Sequence, residues 1–335
     1  MNRREIIKQG GLAFAMLSLP LQSLTKLKSN KVDESNSYDV IIIGGSYSGL
    51  SSALALGRSL RKVLIIDSGV PCNRQAPHSH NFITQDGIKP QDITSIAVNQ
   101  VLKYKTVKHI SDLVSNAQKG EHDFIIKTKT GKEFSSKKLI IATGIKDIMP
   151  DIKGFSACWG ISIIHCPYCH GYEFHHKKTG IMLNAEKAYH FSPLIRNLSE
   201  DVTILSTEKA NFNSEEQEIL KKNKIKIIEK EIVEFQHING NINQIMFKDG
   251  SKSNFDVVYS SVPFVQHSDI PSLLGCEMNN LGHIKVDNFQ KTSVKGVFSC
   301  GDNSSTMRSI ASAVFTGGIC GSAVDKELAE EEFMR

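Results

Sequence analysis

One short stretch, Cys166-Pro167-Tyr168-Cys169-His170-Gly171-Tyr172-Glu173, gathers residue types that do chemistry at close spacing. A Cys-x-x-Cys pair can close a small disulfide ring or bind a metal, and with an adjacent His it can take a covalent haem. As a redox pair the sulfurs would react by thiolate attack on a disulfide, so a proton acceptor beside them matters. His170 can take and return that proton near neutral pH. Pro167 removes one backbone N–H and fixes φ between the sulfurs. A zinc site would need His165, His170, His175 or His176 to complete four ligands, and no second Cys-x-x-Cys is present. What surrounds the sulfurs decides among these chemistries.

At 335 residues the chain is long enough for about two domains. Its 40% hydrophobic and 22% charged content is that of a globular protein, and the net charge of +5 is mild. No basic stretch is interleaved with aromatics, so no nucleic-acid partner is expected. Seven cysteines are an odd number, which excludes complete internal pairing. The N-terminus carries Arg3-Arg4 before Ile6-Ile7-Lys8, then a short apolar run from Leu12 to Leu21 broken by Ser18 and Pro20. The run is too short to span a membrane, which takes about 20 apolar residues. It resembles a twin-arginine export signal, so residues 1–37 are assigned to an export signal and linker. A periplasmic protein is expected, with a cytoplasmic one as the alternative.

The elements that would position the sulfurs begin at Tyr38. Tyr38 to Ile43 is a β-branched run, as in a buried parallel strand. Gly44-Gly45-Ser46-Tyr47-Ser48-Gly49 follows at once, then an Ala- and Leu-rich helix from Leu50 to Leu60, then a second strand that ends at Asp67. This is the strand–turn–helix–strand order of a dinucleotide site, with its acid about twenty positions past the turn. Gly44 permits the tight turn, Gly49 allows close helix–strand packing, and the helix N-terminus points its N–H groups at a pyrophosphate. Asp67 is placed for the ribose hydroxyls. Ser46 replaces the middle glycine of the pattern.

Two later strand ends complete a set: Ala142-Thr143-Gly144, and Gly296-Val297-Phe298-Ser299-Cys300-Gly301-Asp302. Their order resembles the two-dinucleotide-domain flavoproteins from about Tyr38 to the C-terminus. The resemblance implies an α/β fold of two Rossmann-like domains, the second inserted into the first. The FAD-binding domain spans 38–150 and 262–335, and residues 151–261 form an NAD(P)H-type domain that carries the redox disulfide. FAD is the implied cofactor. Asp302 would hold its ribityl chain, and Gly45, Ser46, Thr143, Gly144, Gly301 and Ser309 would join the site. The loop Pro71 to Phe82 follows Asp67 at the carboxyl edge of the sheet, where α/β folds bind ligands. Asn73, Arg74 and His80 are expected to line the flavin site.

The placement of Cys166 and Cys169 resembles that in low-molecular-weight thioredoxin reductases, just upstream of the first strand of the middle domain. That resemblance favours a flavin-coupled disulfide over haem, zinc or a glutaredoxin-like module. His170 stands where that family has an acid. With Gly171-Tyr172-Glu173 after it, the stretch is similar to the dithiol oxidases of the family. By that analogy Cys169 faces the flavin and Cys166 exchanges with substrate. Cys72, Cys158, Cys276, Cys300 and Cys320 read as buried structural thiols. The family's middle domain has a glycine-rich turn, with basic residues after the next strand. This chain has Leu183-Asn184-Ala185 and Ser206-Thr207-Glu208 there. NAD(P)H is therefore expected to bind poorly or not at all.

The expected function is an FAD-dependent thiol–disulfide oxidoreductase that oxidises dithiols and passes electrons to oxygen or another acceptor. A small dithiol or a thioredoxin-like protein is the expected partner, and a homodimer is expected. The alternatives are an NADPH-dependent thioredoxin reductase and a non-catalytic FAD-binding redox partner. The C-terminal helix from Ser309 would point its N-terminus at the flavin ring. Its acidic end, Glu327 to Glu332, reads as solvated.

Overall fold

A computed structural model describes residues 34–206 and 209–335. The export segment in residues 1–33, and the reading of Thr207 and Glu208, lie outside the described residues. The first sheet is mixed. Its parallel part runs Val107–Ser111, Val63–Asp67, Ser37–Ile43 and Glu133–Ile141. Val297–Ser299 pairs in parallel with the end of Glu133–Ile141, whose other end continues into the antiparallel strands Phe124–Thr128 and Val114–Lys119. Val40, Ile41 and Ile42 are fully buried on both faces, which is why the run is continuous rather than alternating. The Tyr47–Arg58 helix and the C-terminal helix Ile310–Phe333 pack together over one face of this sheet.

The chain leaves the first sheet through Ile145–Asp147 and returns through Phe264–Gln266, and these two segments pair antiparallel as a short ribbon. Between them lies a second, parallel sheet in the order Lys226–Glu229, Val202–Ser206, Thr179–Met182, Val257–Ser260, Ile163–Ile164. Two α/β units of the Rossmann kind therefore share one chain, one inserted in the other. The inserted unit also carries a three-stranded antiparallel meander, Ile232–Ile238, Asn241–Phe247 and Lys252–Ser253. Its inner side chains Phe235, Ile245 and Phe247 join the core around Phe155 and Trp159.

One expectation is corrected at the C-terminus. The C-terminal helix runs on to Phe333, and its acidic end is docked rather than solvated. Lys138, only 4% exposed, lies 2.6 Å from both Glu327 and Glu331. Arg61 and Lys137 both reach Glu332. A buried ammonium needs paired carboxylates, and these come from more than 180 positions away in the chain, between Lys138 and Glu327.

Candidate functional site

The glycine turn is built by steric demand. Gly44 has φ +103°, and a Cβ there would run into the backbone oxygen of Ala142. The Gly45 N–H donates to Asp67 Oδ1 at 3.0 Å, which ties the acid to the turn. Ser46 is the N-cap of the first helix at φ −89°, ψ −164°, an extended conformation open to any residue. The departure from glycine at Ser46 therefore carries no backbone cost. Gly49 stands behind the turn against the Gly44 carbonyl. Gly301, at φ +87°, packs against Ser48, and its N–H donates to Thr316 Oγ1 at 3.1 Å. These two glycines hold the walls together without facing the cavity.

That cavity has a volume of about 930 Å³ and lies between the turn, the Pro71–His80 loop, the C-terminal helix and the disulfide segment. Gly44, Gly45, Ser46, Asp67, Asn73, Arg74, His80, Thr143, Gly144, Asp302 and Ser309 all line it. Thr143 Oγ1 is buried there with no protein partner, as expected of an atom that awaits a ligand. The N-termini of the first and last helices both open on the cavity, through Ser46 to Ser48 and Ser309 to Ala313. Ser309 Oγ accepts the Ser312 N–H at 3.1 Å, so its side chain is committed to its own helix. Volume, glycine cradle, unpartnered hydroxyl and two helix ends together fit an elongated dinucleotide such as FAD.

The redox pair sits at the far wall. Strand Ile163–Ile164 delivers the chain to Cys166, which caps the one-turn helix Pro167–His170. Proline at the first helical position has no N–H to leave unpaired. Cys166 and Cys169 are joined in a disulfide with their Cα atoms 5.3 Å apart, and the Cys169 N–H donates to Cys166 Sγ at 3.1 Å. Cys169 and His170 line the flavin-sized cavity, and Cys166 lies outside its lining. Gly171 closes the turn where a Cβ would meet the Pro167 carbonyl and the Tyr259 hydroxyl. Burial lowers the His170 pKa, with His80 adding to the effect and Glu173 opposing it, so the imidazole is held neutral.

Several wall residues were not singled out by sequence pattern. Arg308 makes a fork to Asp147, Nη1 to Oδ1 at 2.9 Å and Nη2 to Oδ2 at 3.0 Å. The Trp159 indole N–H donates to the same Asp147 at 3.1 Å. Trp159 also stacks on His165, which burial and then Arg308 push down to about 4. Burial raises the Asp302 pKa, and Arg308 opposes it from 3.9 Å. Cys72 departs from the expectation of a buried structural thiol. It is exposed and lines the cavity with Sγ 3.8 Å from Asp302 Oδ2, and desolvation together with that carboxylate raises its pKa. Its place after Pro71, in the loop already marked for function, was the available signal.

The second dinucleotide-type turn is built differently. After Thr179–Met182 the helix Ala185–Leu198 is capped by Asn184, whose Oδ1 accepts the Lys187 N–H at 3.0 Å. The helix end that would face a phosphate is thus met by the chain's own side chain.

Two nested Rossmann-like units, with a disulfide against a cavity fit for FAD, define a flavin-dependent disulfide oxidoreductase. Residues 38–317 match the family model for pyridine nucleotide-disulphide oxidoreductases, and the chain belongs to that family. It is 31% identical over 305 residues to a thioredoxin reductase, tcpT, of Claviceps purpurea, covering 88% of this chain and 95% of that protein. It is 30% identical to a thioredoxin reductase, sirT, of Leptosphaeria maculans, covering 86% and 93%. The crystal structure of an oxidoreductase from Agrobacterium tumefaciens superposes with a TM-score of 0.82 at 31% identity, covering 88% of this chain and 99% of the other. FAD is the cofactor of this enzyme class, and when bound it would exchange two electrons with the Cys166–Cys169 pair.

Proposed function

We propose that the protein oxidises dithiols to disulfides, with electrons entering through Cys166–Cys169 and leaving to oxygen or another acceptor. The observation that carries this reading is Asn184, which caps the helix where a nicotinamide nucleotide's pyrophosphate would approach. Leu183 and Ala185 flank it in place of glycines, so Cβ atoms stand where a backbone would need to come close. With NAD(P)H unable to dock there, the disulfide is the remaining entry for electrons. Cys166, outside the flavin-sized cavity, meets the substrate thiolate, and Cys169 faces the cofactor. His170, neutral through burial, accepts the thiol proton and thereby raises the thiolate fraction that attacks. Asp67, Thr143 and Asp302 would hold the FAD, and the helix N-termini would favour its anionic groups.

A second reading is favoured by the similarity to thioredoxin reductases: an NADPH-dependent reductase whose partner is a thioredoxin-like protein. Anaerobic titration of the FAD-loaded protein separates the two. We expect excess NADPH to leave the flavin absorbance unchanged over minutes and a dithiol to bleach it. Rapid bleaching by NADPH would overturn the first reading. Export through Arg3-Arg4 agrees with the loss of NADPH, which the periplasm is not supplied with. Replacing both with Lys should then retain the protein in the cytoplasm, which cell fractionation measures. The protein is further proposed to be a homodimer, which analytical ultracentrifugation tests.

A further inference from the structure

His170 lies half-buried beside Cys169, and a proton left on it would stop it from serving the next substrate. Two groups bring charge to it. Glu173 lies three positions on in the same segment, and His80 comes from the first domain, at the head of the loop closed by the Ser79–Ile88 bridge. His80 Nε2 lies 3.3 Å from Glu173 Oε1, and its Nδ1 lies 3.7 Å from Asp86 Oδ2. His80, the least exposed of the three at 21%, stands between two more exposed carboxylates, Glu173 at 37% and Asp86 at 67%. His80 is also the one member that lines both spaces: the cavity that holds Cys169 and His170, and an outer pocket of about 280 Å³ formed with Asn81, Asp86, Tyr168, Tyr172 and Glu173.

We propose that His80, held between Glu173 and Asp86, is a positioning residue that carries the substrate's proton from His170 to the outer pocket. This rests on the dithiol-oxidising reading above. A substrate dithiol gives up two electrons and two protons as its own S–S bond forms. The Cys166–Cys169 bond breaks and takes the two electrons, leaving a thiol at Cys166 and a thiolate at Cys169. One proton stays on the Cys166 thiol. The other goes to His170, passes to His80, which shares the cavity lining with it, and leaves to water past Glu173 and Asp86 in the outer pocket. The groups beside His80 are Glu173 from the disulfide segment and Asp86 and His78 from its own loop, and His80 shares the cavity lining with His170. The His78 ring centroid lies 6.3 Å away. His80 thus has a carboxylate on each side, and both carboxylates line the outer pocket.

The test is one anaerobic turnover of the FAD-loaded protein with dithiothreitol. Flavin absorbance and the proton indicator phenol red are followed together. In the wild type one proton should appear in step with flavin bleaching. In His80→Ala and Glu173→Gln, proton release should slow at least roughly tenfold, as for loss of a general acid–base group. Added imidazole should restore it in proportion to concentration. Variants that release the proton at the wild-type rate overturn the relay. A slowing that imidazole does not restore also overturns it, since that marks a purely structural role. If dithiothreitol leaves the wild-type flavin unbleached, the dithiol-oxidising reading itself fails and the relay falls with it.

Discussion

Replacing Arg308 with methionine keeps most of the side-chain volume but removes both hydrogen bonds to Asp147. Asp147, with 8% of its side chain exposed, would keep only the Trp159 indole N–H. Stranding one charge of a buried pair costs about 3–5 kcal/mol, because the desolvated partner is left uncompensated. Arg308 is itself 20% exposed, so the lower end, about 3 kcal/mol, applies. At about 2 °C per kcal/mol for a chain of this size, the melting temperature of the FAD-saturated protein should fall by roughly 6 °C. Adding Asp147→Asn removes the stranded carboxylate, so the double variant should melt well above Arg308→Met alone, a non-additivity that a mutant cycle reads directly. The same cation helps hold His165 down, so Arg308→Met should also move the His165 titration, followed by NMR, upward from about 4. An Arg308→Met protein that melts within a degree of the wild type would refute this reasoning. So would a double variant no more stable than the single one.

Cys169→Ser should abolish dithiol-dependent oxygen uptake while leaving bound FAD in place; uptake at the wild-type rate would exclude the disulfide from the reaction. Lys138→Ala should cost roughly 2–3 kcal/mol in urea unfolding, below the value for a fully buried pair because Glu331 is 32% exposed. His165 is held neutral by burial, so its folded pKa of about 4 lies below the ordinary 6.5 of the unfolded chain. The unfolded state therefore binds the proton first as pH falls. This contribution is complete above pH 6.5 and is lost between 6.5 and 4, a gap worth roughly 3 kcal/mol. His165→Phe, which can still stack on Trp159, should flatten that part of the stability–pH curve measured by urea unfolding.

The local parts of the site were legible because each is set by a short-range demand. Gly44 and Gly49 announce themselves through the lack of a side chain, and Asp67 through its distance from the turn. The Cys-x-x-Cys-His stretch contains its own chemistry. Less legible were partnerships made across the fold. Nothing local to Asp147 marks it for Arg308, 161 positions away. The acidic stretch around Glu327 looks like any solvated helix end until Lys138 is buried beneath it. Cys72 was misjudged because burial was inferred from residue type, whereas its loop turns it toward Asp302. Ser46 stands where the pattern has glycine, yet the extended backbone there does not require glycine.

The place of Val297–Ser299 bears on how the chain is made. The strand Glu133–Ile141 pairs along its final residues with Ser37–Ile43 on one side and Val297–Ser299 on the other. The second partner leaves the ribosome roughly 150 residues later, after the whole inserted unit. At 5–20 residues per second that is a delay of roughly 8–30 s. For that interval the nascent first sheet carries an open, apolar flank formed by Leu139, Ile140 and Ile141. The inserted unit, complete within its own stretch of chain, can close first. Nascent chains stalled before Gly296 should therefore protect the second sheet from protease while leaving the first one cleavable.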